Sequence, residues 1–397
     1  GLSRLNRSGR LCRSLSRYSG LNRSNGLGRS FSRYSRLNRS LCDIGLGVDA
    51  LGVNCSLGPD DLEPIVSEIS KYTNLPIVIK PNAGLPDPNT NEYDVMPDDF
   101  AKSSLSLLKY GVKVLGGCCG TNPEYIKALK DALADKKYQP SKSQVDTIVC
   151  SASSVVEVNH PRIIGERINP TGKKLFKQAL VDNNIDYILT QALSQTGAGA
   201  EILDVNVGHP EIDEKQMMLD AIYEVTSTVD LPLCIDSSHV DVQEEALRRY
   251  PGRALINSIS LESEKFEKLL PLAKKYGAMF VLLPLSDEGL PKNLNEKISI
   301  IEKIVARALE LGMKKTDIIV DGLVATVGAN KQAALETLET IRYCHRNGLA
   351  TTCGLSNISF GLPERSCVNS AFLTMAIASG LTMAIANPSQ DILAGAA

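Results

Sequence analysis

Eight short apolar segments alternate with amphipathic helical segments across residues 156–397 of this 397-residue chain. Alternation of this kind predicts parallel strands joined by crossover helices, and eight repeats over roughly 235 residues match a (β/α)₈ TIM barrel. We therefore predict an α/β fold with one complete barrel in this region. The strand segments are RIIGERIN (162–169), AEILDVNVG (200–208), LPLCIDSS (231–238), RALINSIS (253–260), AMFVLLPL (278–285), DIIVDGLV (317–324), ATTCGLSNIS (350–359) and LTMAIANP (381–388).

Acidic or amide side chains stand at the C-terminal ends of seven of these eight segments. In a parallel barrel those ends open into one shared mouth, where carboxylates and amides can bind a flat, nitrogen-rich heterocycle. Any one of them could instead cap or brace a loop, but buried unpaired carboxylates are too costly to recur by chance. The residues are Glu166, Asn169, Asp204, Asn206, Asp236, Asn257, Asp321, Asn357 and Asn387.

Residues 42–138 contain three further strand–loop–helix patterns, which predict part of a second parallel unit. The strand segments are VDALGVNCS (48–56), LPIVIKPNAG (75–84) and VKVLGGCCGT (112–121). Cys55, Cys118 and Cys119 stand at the ends of the first and third segments. Three thiolates there suit a zinc ion with one open position. The alternatives are a disulfide, which adjacent cysteines disfavour, and three small buried residues.

Residues 1–41 differ in composition from the rest of the chain, with ten Arg and no Lys, Asp or Glu. Repeats of RLNRS and SRYS without a sustained helical or strand period predict a low-complexity segment. Either an arm that binds RNA or another polyanion, or a terminus without a binding role, fits that composition. The net charge of the whole chain, −2, argues against nucleic acid as the main partner. Residues 139–155 are polar and Ser-rich, which predicts a linker.

The location of the protein is predicted from two features of the whole sequence. No apolar run reaches the roughly 18–20 residues of a membrane span, so we expect no membrane partner. The ten cysteines stand at irregular positions, unlike those of a secreted disulfide framework. A reducing, cytoplasmic environment is therefore predicted.

The cysteine-bearing motifs resemble a known family. GVNCSLGP, KPNAG and GGCCGTNPEYI closely resemble the homocysteine-binding barrel of cobalamin-dependent methionine synthases and related homocysteine methyltransferases. The resemblance implies that Cys55, Cys118 and Cys119 hold zinc, and that the homocysteine sulfur occupies the open position as a thiolate. Only the last three strands of that eight-stranded barrel can be recognised in this sequence. Residues 42–138 are therefore predicted to be its C-terminal portion, and residues 1–41 to lie outside it.

The motifs of the complete barrel carry a second resemblance. GERINPTG, ILDVNVG, CIDSS, INSIS, VDGL and GLSNISFGLPERS resemble the pterin-binding barrel of methyltetrahydrofolate methyltransferases and dihydropteroate synthases. GERINPTG and GLSNISFGLP favour the methyltransferase branch. The resemblance implies that Asn357 reaches the pterin N5, with Asp321 as a nearby acid. It also implies a pterin lining of Glu166, Asn169, Asp204, Asn206, Asp236, Asn257 and Asp321.

Together the two resemblances imply a methyltransferase of the methionine synthase type. It would move the N5-methyl group of 5-methyltetrahydrofolate through cobalamin to zinc-activated homocysteine. No segment here resembles a cobalamin domain, so a corrinoid domain or protein outside these residues would bind the cobalamin. The alternatives are a corrinoid methyltransferase or dihydropteroate-synthase-like enzyme that uses only the pterin barrel, and a folate-binding module without turnover.

Overall fold

The structure, a computed structural model, describes residues 48–389 except 56, 72, 88, 91, 142–146 and 159, together with the backbone of residues 2–5 and 11–12. The chain divides into two compact units, Gly1–Val145 and Asp146–Ala397. The division falls inside the segment predicted as a linker. Among the described residues, no helix combines the length and the apolar character that a membrane span requires.

The first unit contains a five-stranded mixed sheet with the order β2-β1-β3-β4-β5. Its strands are β1 (Leu2–Leu5), β2 (Leu11–Cys12), β3 (Ala50–Asn54), β4 (Ile77–Lys80) and β5 (Val112–Leu115). Strands β3, β4 and β5 are parallel, as predicted. The low-complexity composition predicts no sustained strand before residue 42, yet β1 pairs antiparallel with β3. The unpaired backbone N–H and C=O groups at the edge of a sheet can bind another strand even when its sequence does not alternate between apolar and polar side chains.

Three helices follow the parallel strands of the first unit. They are α1 (Pro59–Ser70), α2 (Pro97–Leu105) and α3 (Pro123–Leu133). Each begins with proline, which suits the first helical position because no intrahelical hydrogen bond is lost there. Leu62, Val66 and Ile69 lie on one face of α1 and pack against Ile77 and Ile79 of β4. Leu51 of β3 and Val112 of β5, the strands that precede the cysteines, belong to the same buried cluster.

The second unit begins with an antiparallel hairpin of β6 (Ile148–Cys150) and β7 (Val155–Glu157). Its Val149 and Val156 are buried in one cluster with residues of the barrel interior. Cys150 pairs with Arg253, which precedes a barrel strand, so the hairpin closes the N-terminal end of the barrel. Strand β6 lies inside the predicted linker because its three apolar residues are too short a run to stand out among the serines.

Eight parallel strands form the barrel of the second unit, and the predicted (β/α)₈ fold is confirmed. Strand β15 pairs with β8, and the backbone N–H of Ile385 donates to the carbonyl of Cys353 at 2.9 Å, which brings the two ends of the sheet together. The strands are β8 (Arg162–Ile168), β9 (Ile202–Val205), β10 (Leu233–Asp236), β11 (Leu255–Leu261), β12 (Met279–Ser286), β13 (Ile318–Asp321), β14 (Ala350–Thr352) and β15 (Met383–Ala386).

The helices of the second unit surround the strands. Apolar side chains between strands and helices form a large buried cluster, which accounts for the amphipathic helical patterns in the sequence. The helices are α4 (Lys174–Val181), α5 (Ile185–Gly197), α6 (Glu214–Thr228), α7 (Val240–Arg249), α8 (Ser263–Tyr276), α9 (Leu294–Glu310), α10 (Ala333–Arg346) and α11 (Arg365–Ala378).

Candidate functional site

Five of the predicted residues form two neighbouring hydrogen-bonded groups, one at the ends of β8, β9 and β10 and one between β9 and β11. The side-chain amide of Asn257 donates to Oδ1 of Asp204 at 3.0 Å, and that of Asn206 donates to Oδ2 of Asp236 at 2.9 Å. The amide of Asn169 lies 3.5 Å from the same oxygen of Asp236. We call these five residues the carboxylate–amide cluster. The strand ends therefore bring together side chains that are 88 positions apart in the sequence.

The two carboxyl groups of this cluster are less acidic than ordinary aspartates. Asp204 is only 2% exposed, and burial followed by the nearby charge of Asp236 raises its pKa well above the usual range. Burial raises the pKa of Asp236 to about 6. Close to neutral pH the cluster can therefore hold a proton as well as accept hydrogen bonds, as recognition of a ring with both donor and acceptor edges requires.

The side chain of Glu166, on β8, forms a hydrogen bond to the turn that follows β14, the seventh strand of the barrel. Its Oε1 accepts a hydrogen bond from the hydroxyl of Ser356 at 2.8 Å, and burial raises its pKa. The guanidinium of Arg365 donates to the carbonyl of Ser356 at 2.7 Å and to the hydroxyl of Ser359 at 3.1 Å. Ser356 and Arg365 were not predicted as site residues, although both lie within the quoted motif GLSNISFGLPERS.

Asn357 lies in the short 3₁₀ helix Leu355–Asn357, where the predicted seventh strand has already ended at Thr352. Its side chain is exposed. The neighbouring Ser356 and Ser359 are the residues that Arg365 holds, so the backbone on both sides of Asn357 is fixed. The side chain is thus free to contact a ligand while its turn is rigid.

Asp321 is the last residue of β13, and its Oδ1 accepts a hydrogen bond from the backbone N–H of Leu323 at 2.7 Å. Burial raises the pKa of Asp321 to about 6, and the positive charge of Lys297 opposes this rise. The carboxyl can therefore exchange a proton near neutral pH. Asn387, in contrast, accepts a hydrogen bond from the backbone N–H of Ser389 at 3.2 Å, which is the loop-bracing role considered as its alternative.

Lys173 is a further residue of the mouth that the sequence did not indicate. Its ammonium donates to the backbone carbonyls of Glu166, Arg167 and Asn169 at 3.0, 3.3 and 3.1 Å. It thereby fixes the end of β8 from which Glu166 and Asn169 project. Lys173 directly follows the motif GERINPTG, and this position could have indicated a residue of the site. The sequence does not show, however, that carbonyl oxygens are its partners.

The three predicted zinc ligands lie together in the first unit, with their sulfur atoms all within 4.8 Å of one another. Sγ of Cys119 is 3.5 Å from that of Cys55 and 4.0 Å from that of Cys118. Tetrahedral zinc with Zn–S bonds of about 2.3 Å requires sulfur atoms about 3.8 Å apart. The cysteine cluster therefore fits a zinc ion, and Cys119 is exposed enough for a fourth ligand to reach it.

The backbone around the cysteine cluster is held by hydrogen bonds to β4 and the loop after it. The N–H groups of Cys55 and Cys118 donate to the carbonyls of Lys80 and Pro81 at 2.9 and 2.8 Å. The N–H of Cys119 donates to the side-chain oxygen of the buried Asn82 at 3.2 Å. Hydrogen bonds to Cys55 and Cys118, followed by repulsion from the charges of these two thiols, raise the pKa of Cys119. A bound cation would remove that repulsion.

Tyr93 lies beside this cluster and was not predicted. Burial and then the charge of Cys119 raise the pKa of its phenol. Its ring packs on Gly120, where a Cβ atom would come within 2.3 Å of the ring. Gly120 also has a φ of +77°, so glycine is required there on two grounds.

Comparisons with known proteins match both units. Residues 165–387 match the family model described as pterin binding enzyme, and residues 22–133 match that of homocysteine S-methyltransferase. The methionine synthases of Mycobacterium tuberculosis and Mycobacterium leprae are 31% and 30% identical to the chain over 369 and 374 residues. Each alignment covers 87% of this chain, which spans only 31% of the length of either relative.

Solved structures with the same barrel are dihydropteroate synthases. The Xanthomonas albilineans enzyme in complex with 7,8-dihydropteroate has a TM-score of 0.50 and 17% identity, covering 63% of this chain and 96% of that one. The Yersinia pestis enzyme with a pterine-sulfa conjugate has a TM-score of 0.50, 19% identity and the same coverage. These likenesses concern the fold alone. Because the pterin-binding model matches more than half of the sequence, the chain belongs to the family of pterin binding enzymes.

Proposed function

We propose that the chain is a methyltransferase that moves a methyl group from 5-methyltetrahydrofolate to homocysteine. The observation that carries the proposal is the presence, in one chain, of a carboxylate–amide cluster at a pterin-type barrel mouth and a three-thiol cluster of zinc-binding geometry. The two methionine synthases that match both units support the same assignment. We also propose that the protein is located in the cytoplasm.

Recognition of the pterin is assigned to the carboxylate–amide cluster together with Glu166 and Asp321. The amino and N–H edge of a pterin presents donors, which the carboxylates of Asp204 and Asp236 can accept. The amides of Asn206 and Asn257 already bond those carboxylates and would hold them in place for the ligand. The ring would lie among half-buried groups, where each hydrogen bond excludes competing water.

The chemical step at the pterin requires stabilisation of positive charge on N5. N5 is a poor leaving group until it is protonated or strongly hydrogen-bonded, so the site must favour that state as the methyl group departs. Asn357 would form the hydrogen bond to N5, since its amide can present either oxygen or nitrogen. Asp321, with a pKa of about 6, would supply the proton through water.

Homocysteine is assigned to the cysteine cluster, where Cys55, Cys118 and Cys119 would hold zinc. Bound zinc would lower the pKa of the homocysteine thiol, so that a thiolate nucleophile is present at neutral pH. The hydrogen bonds from Cys55, Cys118 and Cys119 to the loop after β4 would keep the three sulfurs in place. Cobalamin would carry the methyl group between the sites and would be bound by a domain or protein outside this chain.

The proposal is tested by single-turnover methyl transfer from 5-methyltetrahydrofolate to added cob(I)alamin. Asn357→Ala should lower the rate about 100-fold, as expected for loss of one hydrogen bond to developing charge. Asn347→Ala is the matched control, because Asn347 is also exposed but follows the C-terminal end of α10. Equal rates for wild type and Asn357→Ala would refute the assigned role. Tight folate binding without any transfer would favour a folate-binding module without turnover.

A further inference from the structure

Gln243 is a buried amide directly behind the carboxylate–amide cluster. It lies on α7, and its side chain is 0% exposed. Its Nε2 donates to the backbone carbonyls of Ile235 at 3.1 Å and Ser237 at 3.2 Å, and it lies 3.4 Å from the carbonyl of Asn257. The two N–H bonds of this amide are thus directed at the end of β10, and its nitrogen also lies close to the backbone of β11 at Asn257.

These three carbonyls belong to the residues that place the cluster. Ile235 and Ser237 are the neighbours of Asp236, and the third carbonyl is that of Asn257 itself. Strand β10 ends at Asp236, so the carbonyl of Ser237 beyond it needs a donor other than the strand ladder. Because its nitrogen contacts both backbones, the Gln243 amide fixes the separation between the backbones that carry Asp236 and Asn257.

The oxygen atom of the same amide makes an unfavourable contribution to the stability of the fold. Oε1 of Gln243 is buried and has no hydrogen-bond partner among the described residues. A buried acceptor without a partner lowers stability, and an apolar side chain of similar length would avoid that cost. The amide is therefore explained by the carbonyl groups that its nitrogen contacts and not by its oxygen.

We infer that Gln243 is a positioning residue of the pterin site, which holds Asp236 and Asn257 at the spacing that the ligand requires. The inference rests on the proposed function, because it takes the carboxylate–amide cluster as the pterin site. Gln243 itself lies behind the strand ends and is not assigned any contact with the ligand. Its effect would be on affinity for the pterin through Asp236 and Asn257.

The experiment measures two quantities on the full chain: the Kd for 5-methyltetrahydrofolate by calorimetry and the midpoint of thermal unfolding. Gln243→Met keeps the length of the side chain but removes both the donor and the unpaired oxygen. It should weaken binding about tenfold and lower the unfolding midpoint only slightly, because loss of the donor to two carbonyls and removal of the unpaired oxygen act on stability in opposite directions. Gln243→Glu places an oxygen against the three carbonyls and should weaken binding further, which provides a second variant if the first does not fold.

The matched control is Asn369→Leu. Asn369 lies on α11, is 1% exposed, and also has a buried side-chain oxygen without a partner among the described residues. This variant should change the unfolding midpoint and leave the Kd unchanged. The inference is overturned if wild type binds and Gln243→Met binds equally well, or loses affinity only in proportion to unfolding. A wild-type chain that does not bind 5-methyltetrahydrofolate would instead refute the proposed function.

Discussion

At the scale of single residues, the barrel mouth holds carboxyl groups in positions that cost stability. Asp236 and Asp321 both have pKa values of about 6 in the folded chain, against an ordinary value of 3.8. The cause is burial in each case, and folding therefore disfavours their ionised forms. Carboxyl groups that lower stability at neutral pH are expected at sites selected for ligand binding and not for stability.

The stability of the barrel should consequently depend on pH in a defined direction. A carboxyl whose pKa is raised by folding stabilises the folded state below its unfolded value near 3.8, and this stabilisation is lost as the pH rises through about 6. Asp236→Asn should therefore raise the free energy of unfolding at pH 7, by up to about 3 kcal/mol for a shift of two pKa units. Urea denaturation at pH 5 and pH 7 measures the difference.

The same variant should bind 5-methyltetrahydrofolate more weakly, because an amide cannot replace both acceptor oxygens. Asp220→Asn is the control, since Asp220 is a partly exposed aspartate on α6. It should leave both the pH dependence and the affinity unchanged. An Asp236→Asn chain with the wild-type pH dependence would show that Asp236 does not have the raised pKa described above.

Residue types at the site could be predicted from the sequence, but their partners could not. Polar residues after apolar runs mark strand ends, so Asp204, Asp236 and Asn257 were expected at the mouth. The partners Lys173, Ser356 and Gln243 come from helices and turns, and only the folded chain brings them to the strand ends. The raised pKa values of the aspartates could not be predicted from the sequence either, because burial and neighbouring charge are properties of the tertiary structure.

At the scale of elements, one buried cation helps to attach the hairpin of β6 and β7 to the barrel. Arg253 donates from Nη2 to Asp317 at 2.7 Å, from Nη1 to the carbonyl of Ile148 at 2.8 Å, and from Nε to the carbonyl of Gly277 at 2.9 Å. Gly252 approaches the hairpin so closely that a Cβ atom would lie 2.1 Å from the carbonyl oxygen of Cys150. The hairpin and barrel are thus packed as one piece.

Loss of this cation should destabilise the barrel strongly. Arg253→Ala leaves Asp317 and two buried carbonyls without their donor, so the free energy of unfolding should fall by about 3–5 kcal/mol. Arg307→Ala, which breaks ion pairs between exposed side chains, should cost less than about 1 kcal/mol. Denaturant unfolding of both variants measures the contrast. Similar losses for the two would mean that the buried hydrogen bonds of Arg253 contribute little to the stability of the barrel.

Strands of the barrel were predictable because buried parallel strands are continuous apolar runs. The C-terminal end of the seventh strand was predicted too late: the pattern reaches residue 359, whereas β14 ends at Thr352. Residues Leu355–Asn357 form a 3₁₀ turn instead. Strand β6 was missed because Ile148–Cys150 is only three residues long within a polar segment.

At the scale of the whole molecule, the two units carry separate sites. The cysteine cluster draws all its ligands from the first unit, and the carboxylate–amide cluster draws all its residues from the second. Substitutions in one unit should therefore leave binding by the other unchanged. This separation allows the two half-reactions to be tested independently in the same chain.

Zinc content is the prediction that tests the first unit. The purified chain should contain close to one zinc per molecule by elemental analysis, and Cys118→Ser should reduce that content while leaving the Kd for 5-methyltetrahydrofolate unchanged. Cys367→Ser is the control, because Cys367 is an exposed cysteine of the second unit. A chain without zinc, or a variant that keeps it, would mean that the cysteines do not form a metal site.

The most direct test follows one methyl group through both sites. The chain is incubated with 5-methyltetrahydrofolate labelled at the N5-methyl group, cob(I)alamin and homocysteine, and label is counted in methionine and in the corrinoid fraction. Wild type should label methionine, Asn357→Ala should label both products about 100-fold more slowly, and Cys118→Ser should label the corrinoid fraction alone. Methionine labelled equally by wild type and Cys118→Ser, or label that never leaves the folate with wild type, would contradict folate-dependent methyl transfer to homocysteine by this chain.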